Sequence, residues 1–123
     1  MANRNFNRHQ SLEKEVKSLF AEVAIGASGA PTITKALGIS SIARTGAGDY
    51  RITLDDKYVR LMHLSVTELN SSAQDLNFQL KAQTVSTTKL IDFFSLTGGV
   101  ATDPANGSSL FIKIDLKNSD SGE

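Results

Sequence analysis

The sequence contains no cysteine in its 123 residues. Disulfide bonds and thiol-based metal or redox sites are therefore excluded. No apolar run approaches the ~20 residues that a membrane-spanning helix needs, and the polar start MANRNFNRHQ lacks the apolar stretch of a signal peptide. We therefore expect a protein that is made in a cytoplasm, is not exported by a signal peptide and has no membrane partner.

An excess of charge of one sign is also lacking, because 13 basic residues balance 13 acidic residues. Domains that bind nucleic acid usually carry a basic excess, so direct binding to nucleic acid is not expected. The length argues for one domain. A chain of this size buries roughly two-thirds of the surface that its unfolded form exposes, and self-association as a dimer or trimer would add to a modest core.

The first residues are rich in amides and arginine, with Phe6 as the large apolar side chain between them. Such a segment cannot bury enough apolar surface to order itself. It is predicted to be an extended arm over 1–15, followed by a β-domain over 16–117 and a flexible tail over 118–123. The arm residues expected to bind another chain are Arg4, Asn5, Phe6, Asn7 and Arg8.

From residue 39 onward the apolar residues recur with a period of two, which is typical of strands that pack on a core from one side. Before that point, residues 12–18 fit a short helix and residues 16–25 fit a strand equally well. The glycine-rich stretch 26–38 is predicted to be a loop. The predicted strands are 16–25, 39–44, 49–55, 60–69, 76–84, 88–96 and 109–117.

About seven short strands separated by turn signals predict an all-β fold, an antiparallel β-sandwich of jelly-roll or immunoglobulin-like type. The stretch TKLIDFFS at 88–95 is apolar on both sides and is predicted to be a central strand. The clearest alternation, at 76–83 and 110–117, predicts a core that contains Leu76, Phe78, Leu80, Ile112, Ile114 and Leu116.

Residue types that carry chemistry are few. His63 is the one histidine inside the predicted fold, and it is expected to face solvent or a second subunit. Self-association is expected to use a sheet edge or the polar strand faces that bear His63 and Gln79. The pairs Asp55 with Asp56 and Asp103 with Asn106 lie between strands, where such residues are typical of turns, and they lack the spacing of a calcium loop. The glycines at 26–31 lack the Lys-Ser/Thr of a phosphate loop. We therefore expect no catalytic, cofactor or metal site.

Three stretches together suggest a family. The opening MANRNFNRHQSLEKEVK, the central ISSIARTGAGDYRITLDDKYVRL and the terminal LFIKIDLKNS resemble small β-domain structural proteins of tailed, marine-type bacteriophages. The central stretch has the pattern I-x-R-T-G-x-G-x-Y-x-x-T-L-x-D-x-Y, here with Ile42, Arg44, Thr45, Gly46, Gly48, Tyr50, Thr53, Leu54, Asp56 and Tyr58. The pattern marks a hairpin with a turn at TGAG and no catalytic chemistry.

The resemblance implies a non-enzymatic virion protein on the capsid surface. Proteins of this type and length are commonly head decoration (cement) proteins, which implies the major capsid protein as a partner. A tail or fibre module that binds a receptor or glycan is the alternative. The lack of tryptophan and the place of Tyr50 on an apolar strand face count against a glycan site.

Overall fold

The computed structural model describes residues 16–117. In this range the chain forms nine strands and one short 3₁₀ turn at Ala27–Gly29. The strands are β1 (Val16–Ile25), β2 (Pro31–Leu37), β3 (Ile39–Gly46), β4 (Asp49–Leu54), β5 (Arg60–Leu69), β6 (Asn77–Gln83), β7 (Leu90–Thr97), β8 (Val100–Ala101) and β9 (Ser109–Lys117). The strand alternative for residues 16–25 is thus confirmed, and residues 12–15 of the helix alternative lie outside the described range.

The strands form two antiparallel sheets that pack face to face. One sheet has the order β2-β1-β9-β5, and the other has the order β3-β4-β7-β6, with β8 paired to β7. The predicted all-β antiparallel sandwich is therefore confirmed, with nine strands instead of about seven. Within the described range no helix is long and apolar enough to cross a membrane.

The prediction of a loop over residues 26–38 was wrong, because β2 occupies residues 31–37. Among the described residues, β2 is an edge strand of its sheet and pairs only with β1. None of its side chains is fully buried, so it lacks the apolar alternation that marks a strand packed on a core. Pro31 is tolerated there because it is the first residue of an edge strand. The two-residue strand β8 was missed because its length is too short for any period.

In the four-stranded sheet, β9 is a central strand and organises the core. Ile114 lies between Leu19 of β1 and Leu64 of β5 in one cross-strand row. Side chains in such a row share one face of the sheet and pack against each other. The buried apolar side chains of the molecule are Leu19, Ala21, Val23, Ile25, Ile39, Tyr50, Ile52, Leu54, Tyr58, Val85, Ile91, Phe93, Leu110, Ile112, Ile114 and Leu116.

In the other sheet, aromatic packing centres on Phe93 of the central strand β7. Its ring stacks on Tyr50 of β4 with centroids 5.6 Å apart, and Phe78 of β6 meets it edge-on at 6.2 Å. Both arrangements are favourable for aromatic pairs. The prediction that residues 88–96 form a central strand is confirmed, since β7 pairs with both β4 and β6.

The predicted core was only half right. Ile112, Ile114 and Leu116 are buried, whereas Leu80 is 44% exposed. Phe78 is partly buried against the core, and Leu76 is partly exposed just before β6. Leu80 pairs with buried Phe93 and so lies on the inner face. It remains exposed because β6 is an edge strand at the side where the two sheets separate.

A second departure concerns β5. In a regular strand Met62 would share the inward face with Leu64, but a register shift between Leu61 and His63 makes Met62 an extra residue in the ladder. Leu61 pairs with buried Leu116 instead, while Met62 is exposed. A bulge of this kind reverses which side chains face the core on one side of it, and period alone does not reveal it.

Candidate interaction surfaces

The outer face of the four-stranded sheet carries three large apolar side chains on neighbouring strands. Phe20 on β1 is 50% exposed, Leu37 on β2 is 57% exposed and Phe111 on β9 is 43% exposed. Phe20 pairs with Leu37 across the strands, and Phe111 pairs with Glu22, two residues along β1. A groove of about 300 Å³ lies between the three side chains. We call this surface the outer apolar face.

Charges of both signs surround the outer apolar face. Glu22 pairs with Lys35 on β2, and Lys113 pairs with Phe20. Exposed apolar patches rimmed by polar residues usually mark contacts with other proteins. The arrangement resembles the interior and rim of a protein interface, in which a few apolar anchors lie inside a polar border.

Sequence reasoning missed the outer apolar face. Phe20 and Phe111 lie on strands in which apolar and polar residues alternate, and both occupy the polar face. Lys113, for example, shares that face with them. An aromatic residue at a solvent-facing position of a strand was the available signal. The sequence does not show that Phe20, Leu37 and Phe111 share one face, because the pairing of β1 with both β2 and β9 brings together Phe20 and Phe111, which are far apart in the chain.

A second concave surface lies where β5 and β6 separate. This cleft has a volume of about 620 Å³ and is lined by β5, the connection after it and β6. Among the described residues that line it, the ionisable side chains are His63 and Glu68. The Glu68 carboxylate accepts a hydrogen bond of 2.9 Å from the hydroxyl of Ser108. The rest of the lining divides almost equally between side chains with amide or hydroxyl groups and apolar side chains, so it suits an extended ligand with both polar and apolar groups.

His63 is exposed, as expected. It pairs with Asp115 of β9, which places both side chains on the outer face of the sheet. Gln79 lines the cleft on the β6 side. The two residues thus lie on opposite borders of the open side of the sandwich, and self-association through their faces stays a prediction.

Asp103, in the connection between β8 and β9, binds the β3–β4 hairpin at two residues. Its carboxylate accepts two hydrogen bonds of 2.8 Å from the Arg44 guanidinium and one of 2.8 Å from the backbone N–H of Gly48. The hydrogen bonds from Arg44 lower the pKa of Asp103 below its ordinary value. Beside them, the hydroxyl of Tyr50 donates to the Gly29 carbonyl at 2.7 Å, and burial raises the pKa of Tyr50 to about 12.

Two of the acidic residues in the predicted turns, Asp103 and Asp55, bind other side chains of the protein. Asp103 is bonded to Arg44, and Asp55 accepts a hydrogen bond of 2.5 Å from the hydroxyl of Ser40. Within residues 16–117 no group of three histidine or acidic side chains is placed to hold a metal ion.

The predicted arm residues lie outside the described part of the chain, so their role in binding stays a prediction. Those residues are Arg4, Asn5, Phe6, Asn7 and Arg8. The predicted tail over 118–123 also lies outside the described residues.

No protein-family model, curated protein or solved structure matches this chain. The likeness to phage structural proteins therefore remains an expectation from the sequence, and the outer apolar face and the cleft are what the structure adds to it.

Proposed function

We propose that this chain is a virion structural protein, a capsid decoration protein that binds the major capsid protein and stabilises the head without catalysing a reaction. The virion assignment rests on the sequence resemblance. The observation that supports a binding role is the outer apolar face, where Phe20, Leu37 and Phe111 lie together in contact with solvent. A coat subunit is the partner proposed for this face.

The outer apolar face is large enough to contribute a moderate part of a binding free energy. Complete burial of a large apolar side chain contributes about 1.5–3 kcal/mol. Because these three side chains are already about half buried, covering them would contribute roughly 1 kcal/mol each. A total of about 3 kcal/mol corresponds to a change of roughly 100-fold in the dissociation constant.

The outer apolar face also keeps the alternative function open. The sequence argued against a glycan site because Tyr50 lies on an apolar strand face, and Tyr50 is indeed buried. Phe20 and Phe111, however, are exposed aromatic rings on one face, and the apolar faces of sugars pack on such rings. A tail or fibre module that binds a receptor or glycan is therefore the second candidate.

Counting the copies of this chain in purified particles separates the two candidates. Quantitative mass spectrometry of whole virions of the phage that encodes it should find hundreds of copies if the chain decorates the capsid. A handful of copies would favour the tail module. If the chain is absent from the particles, both virion assignments are wrong.

Binding through the outer apolar face is tested with the double variant Phe20→Ser, Phe111→Ser. We expect the affinity for particles that lack the protein to fall by roughly 30-fold, since two of the three side chains are lost at about 1 kcal/mol each. The melting temperature should fall by only about 5–10 °C, because half of each ring is exposed to solvent already. Val100→Ser is a matched control, since Val100 is 67% exposed and lies on β8 of the other sheet. Equal binding by the double variant and the wild type would show that another surface makes the attachment.

A further inference from the structure

One side of the sandwich is open. β5 pairs only with β9, and β6 pairs only with β7, among the strands of residues 16–117. The two edges therefore present backbone N–H and C=O groups toward the cleft of about 620 Å³ between them. At the opposite side the chain itself connects the two sheets, because it passes from β2 of one sheet to β3 of the other through Gly38.

The β5 edge has little protection against another strand. Edge strands usually carry proline, inward-pointing charges or bulges that prevent pairing. β5 has ten residues and contains no proline, and its bulge lies near the start, at Met62. Its inward-pointing charge, Glu68, lies near the end of the strand and accepts a hydrogen bond from Ser108. From His63 to Leu69 the ladder with β9 is regular. This stretch can accept a further strand by backbone hydrogen bonding, with side-chain contacts in the cleft adding specificity.

We propose that this edge and cleft bind residues 1–11 of a second copy of the chain as an added strand. The lengths agree, since eleven extended residues span about 36 Å and the ten residues of β5 span about 33 Å. In an extended segment Arg4, Phe6 and Arg8 share one face. That face would meet the cleft, with Phe6 against its apolar residues.

The charges of the two surfaces are complementary. Arg4 and Arg8 are the charged side chains of residues 1–11 apart from His9 and the terminus. The described residues that line the cleft include one carboxylate, Glu68, and neither lysine nor arginine. The asparagine and glutamine side chains of the segment match the amides and hydroxyls of the cleft, so the buried polar groups would find hydrogen-bonding partners.

The chain's own segment can reach this edge only if residues 11–16 are almost fully extended. Val16 lies in the same cross-strand row as Lys117 and Arg60, so a strand beyond β5 lies three strand spacings, about 14 Å, from β1. With Ser11 opposite Arg60, the five steps to Val16 reach at most about 17 Å. The path is also crossed where the Val59 N–H donates to the Lys117 carbonyl at 3.0 Å. A segment from a second copy has no such constraint.

Cross-linking of purified full-length protein tests the proposal and requires no virus particle, so its outcome is independent of the function proposed above. The natural chain has no cysteine, which allows one to be placed in each of two copies. One copy carries Asn5→Cys and the other carries Thr67→Cys on β5, an exposed residue on the outer face. Thr32→Cys, also exposed but on the β2 edge of the same sheet, is the control.

We expect a short bifunctional maleimide to join Asn5→Cys to Thr67→Cys in a species of twice the 13.2 kDa monomer mass, and not to Thr32→Cys. Adding Arg4→Glu and Arg8→Glu to the first copy should abolish the product. Circular dichroism establishes that each variant retains the β-fold. Equal products at Thr67 and Thr32, or no product at either, would overturn the proposal. A chain with both cysteines that closes on itself at the monomer mass would show that its own segment occupies the edge.

Discussion

Removal of the Asp103 carboxylate should destabilise the sandwich more than removal of the Asp92 carboxylate, which also pairs with an arginine. Asp103→Ala deletes two hydrogen bonds from Arg44 and one from the backbone N–H of Gly48. Hydrogen bonds to charged groups contribute about 1.5–3 kcal/mol each when buried. The Arg44 and Asp103 side chains are 32% and 23% exposed, so solvent screens the ion pair and most of the loss comes from the Gly48 bond.

The expected total is about 2–3 kcal/mol, which for a chain of this size lowers the melting temperature by roughly 8–12 °C. Thermal or urea unfolding followed by circular dichroism measures it. Asp92→Ala is a matched control, because Asp92 also accepts two hydrogen bonds from one arginine, Arg51. The Arg51 side chain of that pair is 46% exposed and solvent screens the ion pair, so its loss should cost about 1 kcal/mol or less.

The contribution of Asp103 should also depend on pH in a defined direction. The pKa of Asp103 is lowered in the folded protein from its ordinary value of 3.8. The stabilisation is therefore fully present above the unfolded pKa and is lost as the pH falls through the folded pKa. The difference in unfolding free energy between wild type and Asp103→Asn should be constant near neutral pH and should shrink below 3.8.

Two results would refute this reasoning about Asp103. One is an Asp103→Ala protein no less stable than Asp92→Ala at neutral pH. The other is a difference between wild type and Asp103→Asn that persists unchanged in strong acid.

Two further predictions concern the core and the turn. Phe93→Ala should lower the free energy of unfolding by about 3–5 kcal/mol, since Phe93 is fully buried. Phe78→Ala should lower it by about half as much, because Phe78 is only partly buried. Equal losses in urea unfolding would contradict this difference in burial. Gly48→Ala should reduce stability strongly or prevent folding, because a Cβ there would collide with the backbone of Thr102 and φ is +64°. Gly98→Ala should cost only about 1 kcal/mol, because its φ is also positive, at +59°, but its surroundings are open. Similar stabilities of the two alanine variants would show that the backbone approach at Gly48 is not tight.

The strands that the sequence predicted well share a physical cause. β4, β7 and β9 lie inside their sheets with one or both faces buried, so burial imposes a strong apolar pattern on their residues. Edge strands experience less of this constraint. The edge strand β2 was read as a loop for that reason, and on the edge strand β6 the inward-facing Leu80 was wrongly placed in the core, although it is exposed.

The sequence alone determined the class of the fold, because alternating apolar residues allow one face of each strand to be buried and no other regular structure has a period of two. It also made disulfides impossible, since there is no cysteine. The tertiary structure decided which strands are neighbours, and hence that Phe20 and Phe111 share an exposed face and that β5 and β6 leave a cleft. These surfaces depend on contacts between residues far apart in the chain, and a local sequence pattern does not predict such contacts.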